Sequence, residues 1–156
     1  MRWGALLFAL LLPAWAGGGR NDGCARIEKA LTSIPPSYVR TARVWVDGRE
    51  RFFERVRVVE GAVKERARNA SGAEVRFNPD PAPPLPNCDA LKQVSEGVWV
   101  AREPVPDIKG TRVLTYVFQE GRLVRLRVEE KGSVGFLFFR KPIRFEVVYE
   151  FAGGNS

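Results

Sequence analysis

The sequence predicts an α+β domain in which an antiparallel β-sheet of about nine strands packs against two short helices tied together by one disulfide. Three observations carry that expectation. Short segments with period-2 alternation recur between turn signals from residue 38 to residue 151. Two other segments carry an apolar stripe at helical spacing. The only two cysteines, Cys24 and Cys88, stand far apart behind a leader of the export type.

Taken in order, the leader comes first. Arg2 supplies a positive start, the run from Ala5 to Leu12 is uninterruptedly apolar, and Pro13 breaks it. Ala14-Trp15-Ala16 then places small residues where a signal peptidase reads them, so cleavage is expected after Ala16. The apolar run is far short of the roughly 20 residues a spanning helix needs. The alternative, a buried N-terminal helix, is disfavoured by Gly17-Gly18-Gly19, which would end it without a cap. No cysteine follows the run directly, so a lipid-attachment signal is not supported. The expectation is a periplasmic or secreted protein with no transmembrane anchor after cleavage. Residues 17–23 are then a flexible leader and residues 24–152 a single domain.

The first helix is expected where Ile27, Ala30, Leu31 and Ile34 fall on one face, with Pro35-Pro36 ending it. A second is expected over Asn87–Ser95, with Asn87 as N-cap and Cys88, Leu91 and Val94 as its stripe. Two isolated thiols are too few ligands for a metal site, and the C-x-x-C spacing of thiol redox chemistry is absent. A Cys24–Cys88 disulfide is the economical reading, and it would restrict the unfolded chain by about 4 kcal/mol in the loop-entropy model. The stretch Asn78-Pro-Asp-Pro-Ala-Pro-Pro-Leu-Pro86 can be neither helix nor central strand and reads as an extended connector.

Strands are expected at 38–46, 49–60, 62–69, 73–78, 97–103, 111–119, 122–130, 133–140 and 143–151. Asp47-Gly48 is the strongest turn signal, because a type I′ turn needs positive φ at both central residues. Glu120-Gly121 and Lys131-Gly132 sit where a meander would turn. Val124, Leu126 and Val128 oppose Arg125 and Arg127, and Ile143 to Phe151 alternate with Arg144, Glu146 and Glu150. Segments 111–118 and 134–139 are apolar on both faces. They need a second layer, which the helices can supply as plain core, or a bound apolar molecule in a concave groove. On the groove reading, Trp45, Trp99, Tyr116, Phe118, Phe136 and Phe138 are the candidate lining residues, since large aromatics hold flexible chains without specific hydrogen bonds.

Composition narrows the chemistry. The chain holds 25 basic and 18 acidic residues, no histidine, and no methionine besides the initiator. Without histidine the usual general base and the usual nitrogen ligand for a metal are both missing. No Gly-x-Ser-x-Gly elbow, P-loop or dinucleotide fingerprint is present. Glu129-Glu130 and Glu50/Glu54 read as solvated surface, so neither catalysis nor a cofactor or metal is expected. Asn69-Ala-Ser71 matches a glycosylation pattern that often occurs by chance. Ten basic residues fall between Tyr38 and Asn78 against six acidic ones, and Arg43, Arg55 and Arg57 could share a face with Trp45 and Phe53. Such a face would suit an acidic protein, a surface polymer or nucleic acid, or simply keep the strands soluble. No nucleic-acid motif accompanies it, so nucleic acid ranks last among these.

The stretch Ile27–Phe77 combines an amphipathic helix, Tyr38, a hairpin, Val56-Arg-Val-Val-Glu-Gly61, Lys64-Glu-Arg66 and Gly72; Thr111–Phe151 follows as a long hairpin and a closing strand. In this layout the chain resembles the periplasmic lipoprotein carriers LolA and LolB and the N-terminal domain of the sigma-factor regulators RseB/MucB. The resemblance implies a curved, half-barrel sheet with helices over its mouth. It also implies non-catalytic binding of a lipid, of lipoprotein acyl chains or of an envelope regulator. The chain is shorter than those carriers, lacks the second domain of RseB/MucB, and is richer in arginine than an acyl carrier needs.

Overall fold

The computed structural model describes residues 23–32, 37–70, 82–136 and 138–152. The leader, the end of the first expected helix at Ile34 and the strand expected at 73–78 lie outside them. The described residues form one open antiparallel sheet of eight strands, one helix, and the Cys24–Cys88 disulfide.

Helix α1 is described over residues 23–32. Strands β1 (Tyr38–Val46), β2 (Arg49–Val59) and β3 (Ala62–Ala70) form a first meander. Strands β4 (Leu91–Ser95), β5 (Val98–Val105), β6 (Gly110–Gln119), β7 (Arg122–Phe136) and β8 (Phe139–Phe151) form a second. The spatial order is β3-β2-β1-β8-β7-β6-β5-β4, so the two meanders join where β1 pairs with β8. Asp47-Gly48, Glu60-Gly61 and Glu120-Gly121 all carry positive φ at both positions, as tight hairpin turns with the sheet's twist require.

Two expectations are corrected. Residues 87–95 are not a helix: Asn87 does cap, its side chain accepting from the Asp89 amide at 3.1 Å, but only Cys88–Ala90 form a 3-10 turn. Leu91–Ser95 then pair with β5 as an edge strand. The supposed stripe offers only Leu91 to the core, since Cys88 and Val94 are exposed, whereas pairing satisfies the backbone along β5. Nor is Lys131-Gly132 a turn. The strand expected at 122–130 and most of the one expected at 133–140 are one strand, β7, which ends at Phe136, while Phe139 and Arg140 already belong to β8; the described sheet has eight strands. Gly132 is needed because a 3-10 turn at Pro106–Ile108 crosses it, and a Cβ there would collide with the Ile108 carbonyl.

The register sorts the sheet into two faces. The inner face carries Val44, Phe52, Leu91, Trp99, Leu114, Tyr116, Leu126, Val147 and Tyr149, which join Ile27 and Cys24 of α1 in one core. Gly23 lies so close to the Trp99 indole that a Cβ would overlap the ring. Ala30 and Leu31 complete the helix's contact with this core.

Candidate functional site: a cleft beside the helix

Arg26 lies on α1, one residue before the fully buried Ile27, and so faces the helix flank rather than the core. The turns β4–β5 and β6–β7 lie at the same end of the sheet, because Gly97 O accepts from the Phe118 amide at 2.7 Å. A bulge in the β6–β7 pairing lets Phe118 face Leu123 across the strands. Between helix and turns these residues leave a cleft of about 820 Å³. Phe118 and Leu123 are buried in its floor, its rim carries Arg26 and Arg122 together with Glu96 and Glu120, of which Glu120 lies 3.9 Å from Arg122, and Gln93 and Gln119 add polar groups. The volume falls in the range of small-molecule sites, and the lining sets an apolar floor beside a rim of two basic and two acidic side chains.

The six aromatic candidates separate into three groups. Trp99, Tyr116 and Phe118 are buried on the inner face, and of these Phe118 reaches the cleft. The Tyr116 hydroxyl donates to the Pro84 carbonyl at 2.5 Å, pinning the proline-rich connector to the sheet. Burial raises the Tyr116 pKa, with the Glu103 carboxylate adding to the shift, so the hydroxyl stays a donor. Trp45 lies on the opposite, outer face, its ring 3.9 Å from the Arg144 guanidinium carbon. Phe136 and Phe138 sit at the far end of the sheet from the cleft, 76% and 95% exposed. Segment 134–139 is therefore not covered on both faces as the sequence led us to expect.

The basic candidates Arg43, Arg55 and Arg57 do share the outer face with Trp45 and Phe53. Arg43 lies over the Phe53 ring at 5.2 Å and 3.8 Å from Glu50, while Arg57 bonds Glu65 at 3.1 Å. Across β7 and β8 the same face holds Arg127, clamped between Glu129 and Glu146 at 3.0 and 2.8 Å.

Sequence reasoning misplaced Glu54. It is wholly buried on the inner face, bonded to the equally buried Arg40 and, at 2.7 Å, to Nε of Arg68. Arg40 also bonds the Tyr149 hydroxyl, whose pKa burial pushes up to about 12 against the opposing Arg40 charge. Glu130, half-buried, has its pKa raised by desolvation although Arg112 stands 3.7 Å away and opposes the shift. Both carboxylates were expected in solvent. The signal was present, since Glu54 shares its strand parity with Phe52, Val56 and Val58.

Among the described residues no group of three or more histidine, cysteine or acidic side chains could hold a metal, and no helix is long and apolar enough to cross a membrane. No family model, no curated protein and no solved structure matches the chain.

Proposed function

We propose that this is an exported, non-catalytic protein that binds a lipid or a lipoprotein acyl chain, acting as a carrier or sensor in the periplasm or outside the cell. The polar end of the ligand is held at the cleft, among Arg26, Arg122, Glu96 and Glu120, and its chain passes over Phe118 and Leu123 between α1 and the inner face of the sheet.

The carrying observation is the mismatch between the apolar face and its cover. Eight strands at about 4.8 Å spacing are roughly 34 Å across, whereas a helix with its side chains is only about 10–12 Å wide. Yet buried residues from β1, β2 and β4 to β8 join Ile27 in a single cluster. A sheet that curls into a half-barrel around α1 reconciles the two, and a curled sheet closed, among the described residues, by one helix has an interior that a chain can enter by displacing that helix. The resemblance to the LolA/LolB carriers and to the RseB/MucB domain supports the same reading.

Titration with a fluorescent long-chain fatty acid tests it. Saturable binding in the micromolar range is expected, displaced by unlabelled fatty acid and weakened at least fivefold by Arg122→Glu, whose side chain is half-exposed at the cleft. Absence of saturable binding by folded protein contradicts the proposal. A second reading, a basic module for an acidic protein, surface polymer or DNA, draws on the register that collects Arg43, Trp45, Phe53, Arg55 and Arg57 on the outer face. Steeply salt-dependent binding to such a polymer, without fatty-acid binding, would favour it.

A further inference from the structure

Strand β6 pairs with β7 only as far as Lys131, and β1 pairs with β8 only as far as Ile143. Just beyond those points the Pro106–Ile108 turn covers Gly132 and the Asp47 amide donates to the Pro142 carbonyl at 2.8 Å; past Pro142, β7 and β8 continue alone to Phe136↔Phe139. Three residue steps at about 3.3 Å make a two-stranded ribbon reaching about 10 Å past its last flanking hydrogen bond. An isolated ribbon of this kind is marginal in water, and this one is braced by Arg140, which donates to the Ser133 hydroxyl at 2.9 Å and to its carbonyl at 2.7 Å. At its end Phe136, Phe138 and Phe139 are 76%, 95% and 84% exposed. They are the three most exposed large apolar side chains among the described residues.

Charge identifies what this end meets. From Lys131 to Arg144 the sequence has four basic residues and no acidic one. Lys131 is paired with Glu129 at the ribbon's base. Arg140 bonds only neutral groups, Lys141 is exposed, and Arg144 stacks on Trp45, whose indole stands at the same end of the sheet. Three phenyl rings at a tip, with uncompensated cations one or two residues behind, match an anionic bilayer: rings enter the acyl boundary while guanidinium and ammonium groups stay with the phosphates. A complementary protein groove would have to supply both an apolar slot and a ring of carboxylates, whereas a bilayer presents both layers at the required depth.

We infer that the β7–β8 ribbon is a membrane-docking device that inserts Phe136, Phe138 and Phe139 into an anionic lipid surface. The inference goes beyond the cleft and stands without it, since the tip lies at the opposite end of the sheet from Phe118 and Arg122.

Sedimentation of the exported protein with vesicles tests it, comparing phosphatidylcholine alone with phosphatidylcholine containing 30% phosphatidylglycerol. Wild type should bind the anionic vesicles at least tenfold more tightly than the Phe138→Ser/Phe139→Ser variant, and half-molar salt should weaken it strongly. In a Phe138→Trp variant, tryptophan emission should shift to the blue on vesicle addition and be quenched by brominated acyl chains. The serine variant should keep its melting temperature and its fatty-acid affinity, which separates failure at the ribbon from failure at the cleft. Equal vesicle binding by wild type and serine variant, or equal binding to both vesicle types, overturns the inference. So does a wild-type dimer that the serine substitutions convert to monomer while neither protein binds vesicles, since the tip would then be an interface between copies.

Discussion

Removing the Glu54 carboxylate should be among the most damaging single changes in the chain. Glu54→Ala leaves Arg40 buried without its counter-charge, and breaking one side of such a pair typically costs about 3–5 kcal/mol, read by chemical denaturation. A loss below 1 kcal/mol would mean that water reaches Arg40. Tyrosine ionisation gives a second expectation. Tyr149 ionises near 12 in the folded protein and near 10.0 when unfolded, and Tyr116 is raised as well. The folded state therefore holds more protons between those values, so this contribution is complete below about pH 10 and is lost as pH rises toward 12. Tyrosinate absorbance from these two residues should appear together with loss of the fold, and full ionisation of a still-folded protein would contradict the burial described. Residue by residue, parity was the legible signal. Arg40 and Glu54 follow the buried parity of Ala42, Val44, Phe52 and Val56, but their charge argued for solvent, and only cross-strand pairing reveals that they answer each other.

The elements were legible wherever a turn dictates its own backbone. Asp47-Gly48 and Glu120-Gly121 set positive φ locally, and their strands follow on either side. Gly132 shows the converse, because glycine also marks close approach, and the approaching Ile108 is 24 positions away in sequence. The edge strand β4 was equally hidden, since five residues fit a helical stripe as well as a strand until β5 offers them a ladder. This correction changes what the disulfide does. It ties α1 to the 3-10 turn that leads into an edge strand, with Cα atoms 5.7 Å apart, and so holds Gly23 of the helix over Trp99. Cys88→Ser should cost about 2–5 kcal/mol, the usual effect in small secreted domains. Its melting temperature should fall by several degrees, and fatty-acid uptake should become faster as α1 is freed at Gly23. An unchanged melting temperature would show that packing of Ile27, Ala30 and Leu31 holds the helix without the bridge.

Across the whole molecule, the sheet separates its chemistry by face and by end. The inner face is apolar around α1, the outer face is a lattice of arginine and glutamate, the cleft opens at one end, and the phenylalanine tip projects from the other. Alternation in the sequence marked the apolar and charged faces. It could not mark the ends, because the turn expected at Lys131-Gly132 is instead part of the fifteen-residue strand β7. The length of that strand splits the aromatic candidates, leaving Phe118 at the cleft and Phe136 and Phe138 at the tip. The central claim is that the interior beneath α1 receives a lipid chain. Native mass spectrometry of the protein, purified without detergent, is the sharpest test. A bound species one lipid or fatty acid heavier than the polypeptide is expected, removed by solvent extraction and diminished in Arg122→Glu. A single mass equal to the disulfide-bonded chain alone, unchanged after incubation with excess fatty acid, would contradict it.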